Sequence, residues 1–122
     1  NEGSVWEAAM SAAKHQLSNL TVMVDYNKLQ SYGATREVLE LEPLADKWSS
    51  FGFEVEEVDG HDVDALEQLT GRLPLSNTKP TAIICHTIKG KGISFAENNA
   101  EWHHKSGLKP EEIAKMYACL TI

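Results

Sequence analysis

The sequence predicts an α/β fold, a parallel sheet with helices on both faces, and three observations carry that prediction. Strand-like runs alternate along the chain with segments of helical periodicity, an order that builds a parallel layer rather than a sandwich or a bundle. The run Leu20–Asp25 is mostly apolar without alternation, as suits a strand covered on both faces. The 122 residues contain no internal repeat and no low-complexity linker, so they are taken as a single partial α/β domain over 1–122.

Each element has its own signal. Ser4 followed by Glu7 has capping-box spacing, and Trp6, Ala9, Met10, Ala13 and Leu17 trace one apolar stripe, which predicts a helix over residues 4–18. Leu20–Asp25 is the first strand, and Tyr26–Glu37 is a loop punctuated by Asn27 and Gly33. Pro43 can open a second helix with Leu44, Trp48 and Phe51 facing inward. Phe53, Val55 and Val58 mark the next strand, and Gly60-His61-Asp62 turns the chain. Asp62 can cap a helix carrying Val63, Leu66 and Leu69, which Gly71 stops or interrupts. Thr81–Ile88 is the strongest strand. A long polar loop runs from Lys89 to Gly107, and Pro110 starts a final helix through about Leu120. About three strands are few for an independent doubly wound domain. A strand ahead of residue 1, a partner surface, or both are therefore expected.

Composition narrows the function. A chain of this length can bury roughly two-thirds of its unfolded surface in one modest core, and 42% hydrophobic residues is ordinary for a globular domain. With 11 basic against 18 acidic residues, a net charge of -7 argues against nonspecific nucleic-acid binding. No apolar run has membrane length, so no membrane partner is expected. Cys85 and Cys119 make no disulfide framework, which fits a reducing, cytoplasmic setting.

Several residues carry possible chemistry, each with a plainer alternative. Asn27 stands at the carboxyl end of the first strand, where open α/β sheets bind ligands. Its amide oxygen and the carbonyl of Leu29 suit a divalent ion such as Mg2+, which takes oxygen ligands and commonly a phosphate; an ordinary Asn turn fits equally. Lys89-Gly90-Lys91-Gly92 lacks the spacing of a Walker loop, and is either a mobile basic loop or a place where backbone approaches a ligand. His103-His104, beside Trp102 in the long loop, can transfer protons near neutral pH or lie exposed to solvent. His61 is a turn residue that can line a cleft. Glu2 and Glu7 suit the first turns of a helix.

Taken together, Asn1–Ala8, Asp25–Gln30, Asp59–Asp62, Thr87–Gly92 and Glu101–His104 resemble the transketolase family, and the likeness spans essentially all 122 residues. It is nearest to bacterial amino-terminal subunits, which carry the diphosphate half of the thiamine diphosphate site. The resemblance implies a thiamine diphosphate-binding fold with Mg2+ and transfer of a two-carbon ketol unit between sugar phosphates. It also implies a complementary carboxy-terminal subunit, in a homodimer or a dimer of heterodimers, and a place in carbohydrate metabolism through the pentose phosphate pathway. Asn27 is then the magnesium amide and Leu29 the carbonyl donor, both also serving the cofactor. His103 matches the catalytic loop histidine near cofactor and substrate, with a one-residue slip to His104 left open. Lys89–Gly92 matches the active-site loop that covers the cofactor. Glu2 and Glu7 match acidic residues near the dimer contact that couple the two sites, and Glu2 is grouped with the cofactor-binding residues. The family's Gly-Asp-Gly, with its metal carboxylate, belongs immediately before Asn1, so the chain is expected to be part of a longer subunit. A deoxyxylulose-phosphate-synthase-like or other thiamine-dependent enzyme, or a noncatalytic dimerisation or scaffold piece, are the rival expectations.

Overall fold

The computed structural model describes residues 1–120. Its centre is a parallel sheet of β1 (Thr21–Tyr26), β5 (Thr81–His86) and β4 (Glu54–Asp59), in the order β1-β5-β4. A short antiparallel hairpin, β2 (Leu29–Gln30) with β3 (Gly33–Ala34), follows β1. The helices are α1 (Gly3–Lys14), α2 (Thr35–Val38), α3 (Leu44–Ser50), α4 (Val63–Thr70) and α5 (Pro110–Leu120), with a 3-10 turn at Ala100–Trp102.

The central strand earns its place by hydrophobicity: Thr81, Ala82, Ile83, Ile84 and Cys85 are all buried. On one face Ala82, Ile84 and Tyr26 pack with Ala9 and Ala12 of α1, Leu44 and Trp48 of α3, and Phe53. Aromatic edges close this core, with Trp6 5.3 Å from Trp48 and Trp48 5.0 Å from Phe53 between ring centroids. On the other face Ile83 and Cys85 meet Leu69 and Leu66 of α4. Helices thus cover both faces, as the alternation of elements predicts.

Four local expectations are corrected. Residues 15–18 are not helical, because α1 ends in a Schellman motif: the Gln16 and Leu17 N–H groups donate to Ala13 (3.0 Å) and Ala12 (3.1 Å), with Gln16 at φ 50°. The capping box does not form, since the cap position falls on Glu2, which makes no side-chain cap bond, and Ser4 lies inside the helix. Among the described residues β1 is covered on one face alone: Val22, Val24 and Tyr26 pack into the core while Met23 remains 53% exposed. The 26–37 loop contains the β2–β3 hairpin and α2. By contrast, Asp62 caps α4 through a 2.9 Å bond from the Ala65 N–H, as expected.

Register gives the sheet its functional edge. Tyr26 pairs with His86, and His86 with Asp59, so the three carboxyl ends are level. The loops after β1, β4 and β5 therefore leave from one line. Gly60 makes this possible between β4 and β5. Its N–H donates to the His86 carbonyl at 2.8 Å, and a Cβ there would stand 2.5 Å from the Thr87 methyl.

Ile84→Ala should lower unfolding free energy by roughly 3 kcal/mol, whereas Met23→Ala should cost less than about 1 kcal/mol, as read from urea midpoints.

Candidate functional site

The level strand ends place Asn27, His61 and the Thr87–Lys91 segment around one cleft of about 350 Å³, which also borders Asp25. A larger cleft of about 760 Å³ adjoins it, with Asn27 and Thr87 on both walls and Leu29, Glu42 and His86 on the second.

Asn27 is held in one orientation by its neighbours. Its Oδ1 accepts the Leu29 N–H at 3.0 Å, closing an Asx turn around Lys28, which sits at φ 62°. Its Nδ2 approaches Asp25 Oδ2 at 3.5 Å, and the other Asp25 oxygen accepts a very short hydrogen bond from the Thr87 hydroxyl. The carboxylate can only accept, so it selects the amide nitrogen and turns the oxygen the other way. That oxygen has a second lone pair beyond the one Leu29 uses. The Lys28 carbonyl accepts the Thr35 N–H at 3.0 Å and ties the turn to the hairpin's far end.

Beneath Asn27, Tyr26 is buried, with its ring 5.7 Å from His86. Its phenol donates to Glu42 at 2.6 Å, and the second Glu42 oxygen accepts the Leu44 N–H at 2.8 Å. The phenol and then the Leu44 N–H hold the Glu42 carboxyl below the usual carboxylate range, while burial and then Glu42 push the Tyr26 phenol up. His86 meets Glu57 at 2.6 Å on the same face.

The loop after β5 is fastened from two sides. His61 Nε2 accepts the Ile88 N–H at 2.7 Å, so its proton sits on Nδ1. Ile88 therefore turns away from the sheet instead of extending β5, which ends at His86. Gly90 has φ 77°, and a Cβ there would lie 2.7 Å from the Ala96 carbonyl oxygen, so the Lys89–Gly92 turn requires glycine. Lys91 stands 3.9 Å from Glu97.

The two adjacent histidines differ. His104 Nε2 is hydrogen-bonded to Ser31 Oγ at 3.0 Å. His103 Nδ1 is buried without a partner, and loss of water, then Lys89, then His104 hold its pKa below the ordinary histidine value. Lys89 thus links His103 electrostatically to the loop beside Asn27, although His103 lines neither of Asn27's clefts. Glu2, at the cap of α1, and Glu7, within it, are exposed and border neither cleft. Sequence reasoning misses Asp25, Thr87 and Ser31. Asp25 has a local signal, its spacing from Asn27, but Thr87 lies 62 residues and Ser31 73 residues from their partners.

The donor chemistry fits a hard cation bound together with phosphate. Among the described residues no cluster of three His, Cys, Asp or Glu side chains could hold a metal. The spare lone pair of Asn27 and nearby main-chain carbonyls are oxygen donors of the kind Mg2+ takes beside phosphate oxygens.

A parallel layer with an oriented amide and a basic glycine turn at its strand ends belongs to the ligand-binding α/β class. The family described as transketolase, thiamine diphosphate binding domain, matches residues 1–121. An apulose-4-phosphate transketolase subunit from Actinobacillus succinogenes is 48% identical over 108 residues, covering 85% of this chain and 37% of that protein. The 6-deoxy-6-sulfo-D-fructose transketolase subunit SqwG of a Clostridium species is 43% identical over 104 residues, 85% of this chain and 38% of its own length. The transketolase structure from Campylobacter jejuni superposes with a TM-score of 0.84 at 29% identity, over 96% of this chain and 18% of that one. The chain belongs to the transketolase family, matching its thiamine diphosphate-binding domain. It spans under two-fifths of the curated subunits it matches.

Above the ordinary carboxylate pKa the Tyr26–Glu42 bond is fully formed, and it weakens as pH falls through the lowered pKa of Glu42. Tyr26→Phe should therefore cost roughly 1 kcal/mol at pH 7, a difference from wild type that shrinks below about pH 4 in denaturation curves taken across pH.

Proposed function

We propose that residues 1–122 form part of the diphosphate-binding domain of a ketol transferase, which moves a two-carbon unit between sugar phosphates with thiamine diphosphate and Mg2+. The observation that carries this reading is the Asn27 amide, oriented by Asp25 at the level strand ends and facing the basic turn after β5. Asn27 Oδ1 and the Leu29 carbonyl would hold Mg2+, and the family's cofactor diphosphate would complete its oxygen shell. When bound, the cofactor supplies the electron sink that ketol transfer needs.

The chain's own residues do the rest. Lys89 and Lys91 bring positive charge to the cleft beside Asn27, where an otherwise acidic chain would repel a diphosphate. The lowered pKa of His103 favours its neutral imidazole, the form that can take up a proton. Glu2 and Glu7 do not border the Asn27 clefts; we read both as carboxylates near the contact between protomers that couple the sites, with Glu2 also among the cofactor-binding residues. The relatives named as subunits support a complementary carboxy-terminal chain, and we read the assembly as a homodimer or a dimer of heterodimers. That partner would supply the remaining cofactor and substrate contacts.

Calorimetric titration of the assembled enzyme with thiamine diphosphate and Mg2+ tests the metal assignment. Asn27→Ala should weaken Mg2+-dependent binding by at least about tenfold; unchanged affinity would refute the role of Asn27. His103→Ala should reduce turnover roughly a hundredfold while cofactor affinity holds. If only His104→Ala did so, the working imidazole would be its neighbour.

A further inference from the structure

The segment between the 3-10 turn and α5 is held by side chains. Among the described residues, 104–108 make no main-chain hydrogen bond outside helices and strands, and the last one before them runs from the His103 N–H to the Ala100 carbonyl at 3.0 Å. Lys105 draws the segment toward α5 through a 3.0 Å ion pair with Glu112, and lies 4.9 Å over the Trp102 ring. Among the described residues, a single side-chain hydrogen bond joins it to the β2–β3 hairpin, between His104 Nε2 and Ser31 Oγ at 3.0 Å.

Ser31 occupies the tip of the β2–β3 hairpin, whose first residue is Leu29. That hairpin has two residue pairs, Leu29 with Ala34 and Gln30 with Gly33, and the Asn27 turn leads directly into it. The His104 ring packs edge-on against His103, with centroids 4.5 Å apart. A chain of contacts therefore runs from the Asn27–Leu29 turn through Ser31 and His104 to His103. His104 is engaged on one side by Ser31 and on the other by His103.

We propose that the Ser31–His104 hydrogen bond is a latch between the Asn27–Leu29 hairpin and the histidine loop, and that His104 is a positioning residue for the His103 imidazole. Its catalytic consequence rests on the reading of His103 given above; the latch itself does not.

Two readouts on the assembled enzyme test this. By hydrogen exchange, Ser31→Ala should speed exchange of the His103 amide, which donates to the Ala100 carbonyl just ahead of the segment, roughly three- to tenfold, as loss of one supporting hydrogen bond allows. Ser31→Thr, which keeps the hydroxyl, should restore the wild-type rate, and amides of β5 should not change. In steady-state assays Ser31→Ala should lower kcat severalfold without raising the KM for thiamine diphosphate, and should have no added effect in a His103→Ala background. Unchanged exchange in Ser31→Ala would overturn the latch, and a kcat loss that persists beside His103→Ala would overturn the positioning role. If His103→Ala leaves turnover intact, the reading of His103 fails with the positioning role, and the exchange experiment alone decides the latch.

Discussion

The level register of three parallel strands is the constraint from which the rest of this structure follows. Parallel strands pair through evenly spaced, slanted hydrogen bonds, and a slip of one residue would turn every side chain to the opposite face. Here β5 is buried on both faces, so burial of Ile83 on one side and Ile84 on the other holds it in place. β1 and β4 align against it with Tyr26, His86 and Asp59 abreast. The residues that follow each strand are thereby delivered to one edge, although they lie far apart in the chain.

Polar chemistry at that edge is organised by accepting groups. Asp25 takes hydrogen bonds from Thr87 and Asn27, Glu42 from Tyr26 and Leu44, and His61 from Ile88. Together they tie the loops and strand ends of this edge to one another. The local charge also differs from the global one. A chain of net charge -7 presents Lys89 and Lys91 beside Asn27, with Lys28 on the adjoining wall. A diphosphate needs that local reversal, because long-range attraction to the whole surface is missing.

Much of the architecture was legible where the physical signal is local. The buried strand around Ile83 and Ile84 is visible as an apolar run, and the Asp62 cap as a side chain three residues before the N–H it serves. Asn27 was legible as a strand-end amide. The end of α1 was not, because its left-handed residue is Gln16 where glycine would have announced the stop. The exposure of Met23 was hidden because an apolar run does not tell which face of a strand another layer covers. The β2–β3 hairpin left no periodic trace, having two residues in each strand. Thr87 and Ser31 could not be found at all by spacing, since their partners arrive through the fold. The contrast between His103 and His104 likewise needed the structure: neighbours in sequence, one has its Nδ1 buried and bare while the other is bonded to Ser31.

The central claim is that the carboxyl end of β1 is a metal-diphosphate anchor, and locating the metal tests it most directly. Crystals of the assembled enzyme grown with thiamine diphosphate and Mn2+ in place of Mg2+ would give an anomalous peak at the metal. The account predicts that peak within ligand distance of Asn27 Oδ1 and the Leu29 carbonyl, roughly 2.0–2.2 Å away. A fully occupied manganese site elsewhere, with Asn27 still bonded only within its own turn, would contradict it.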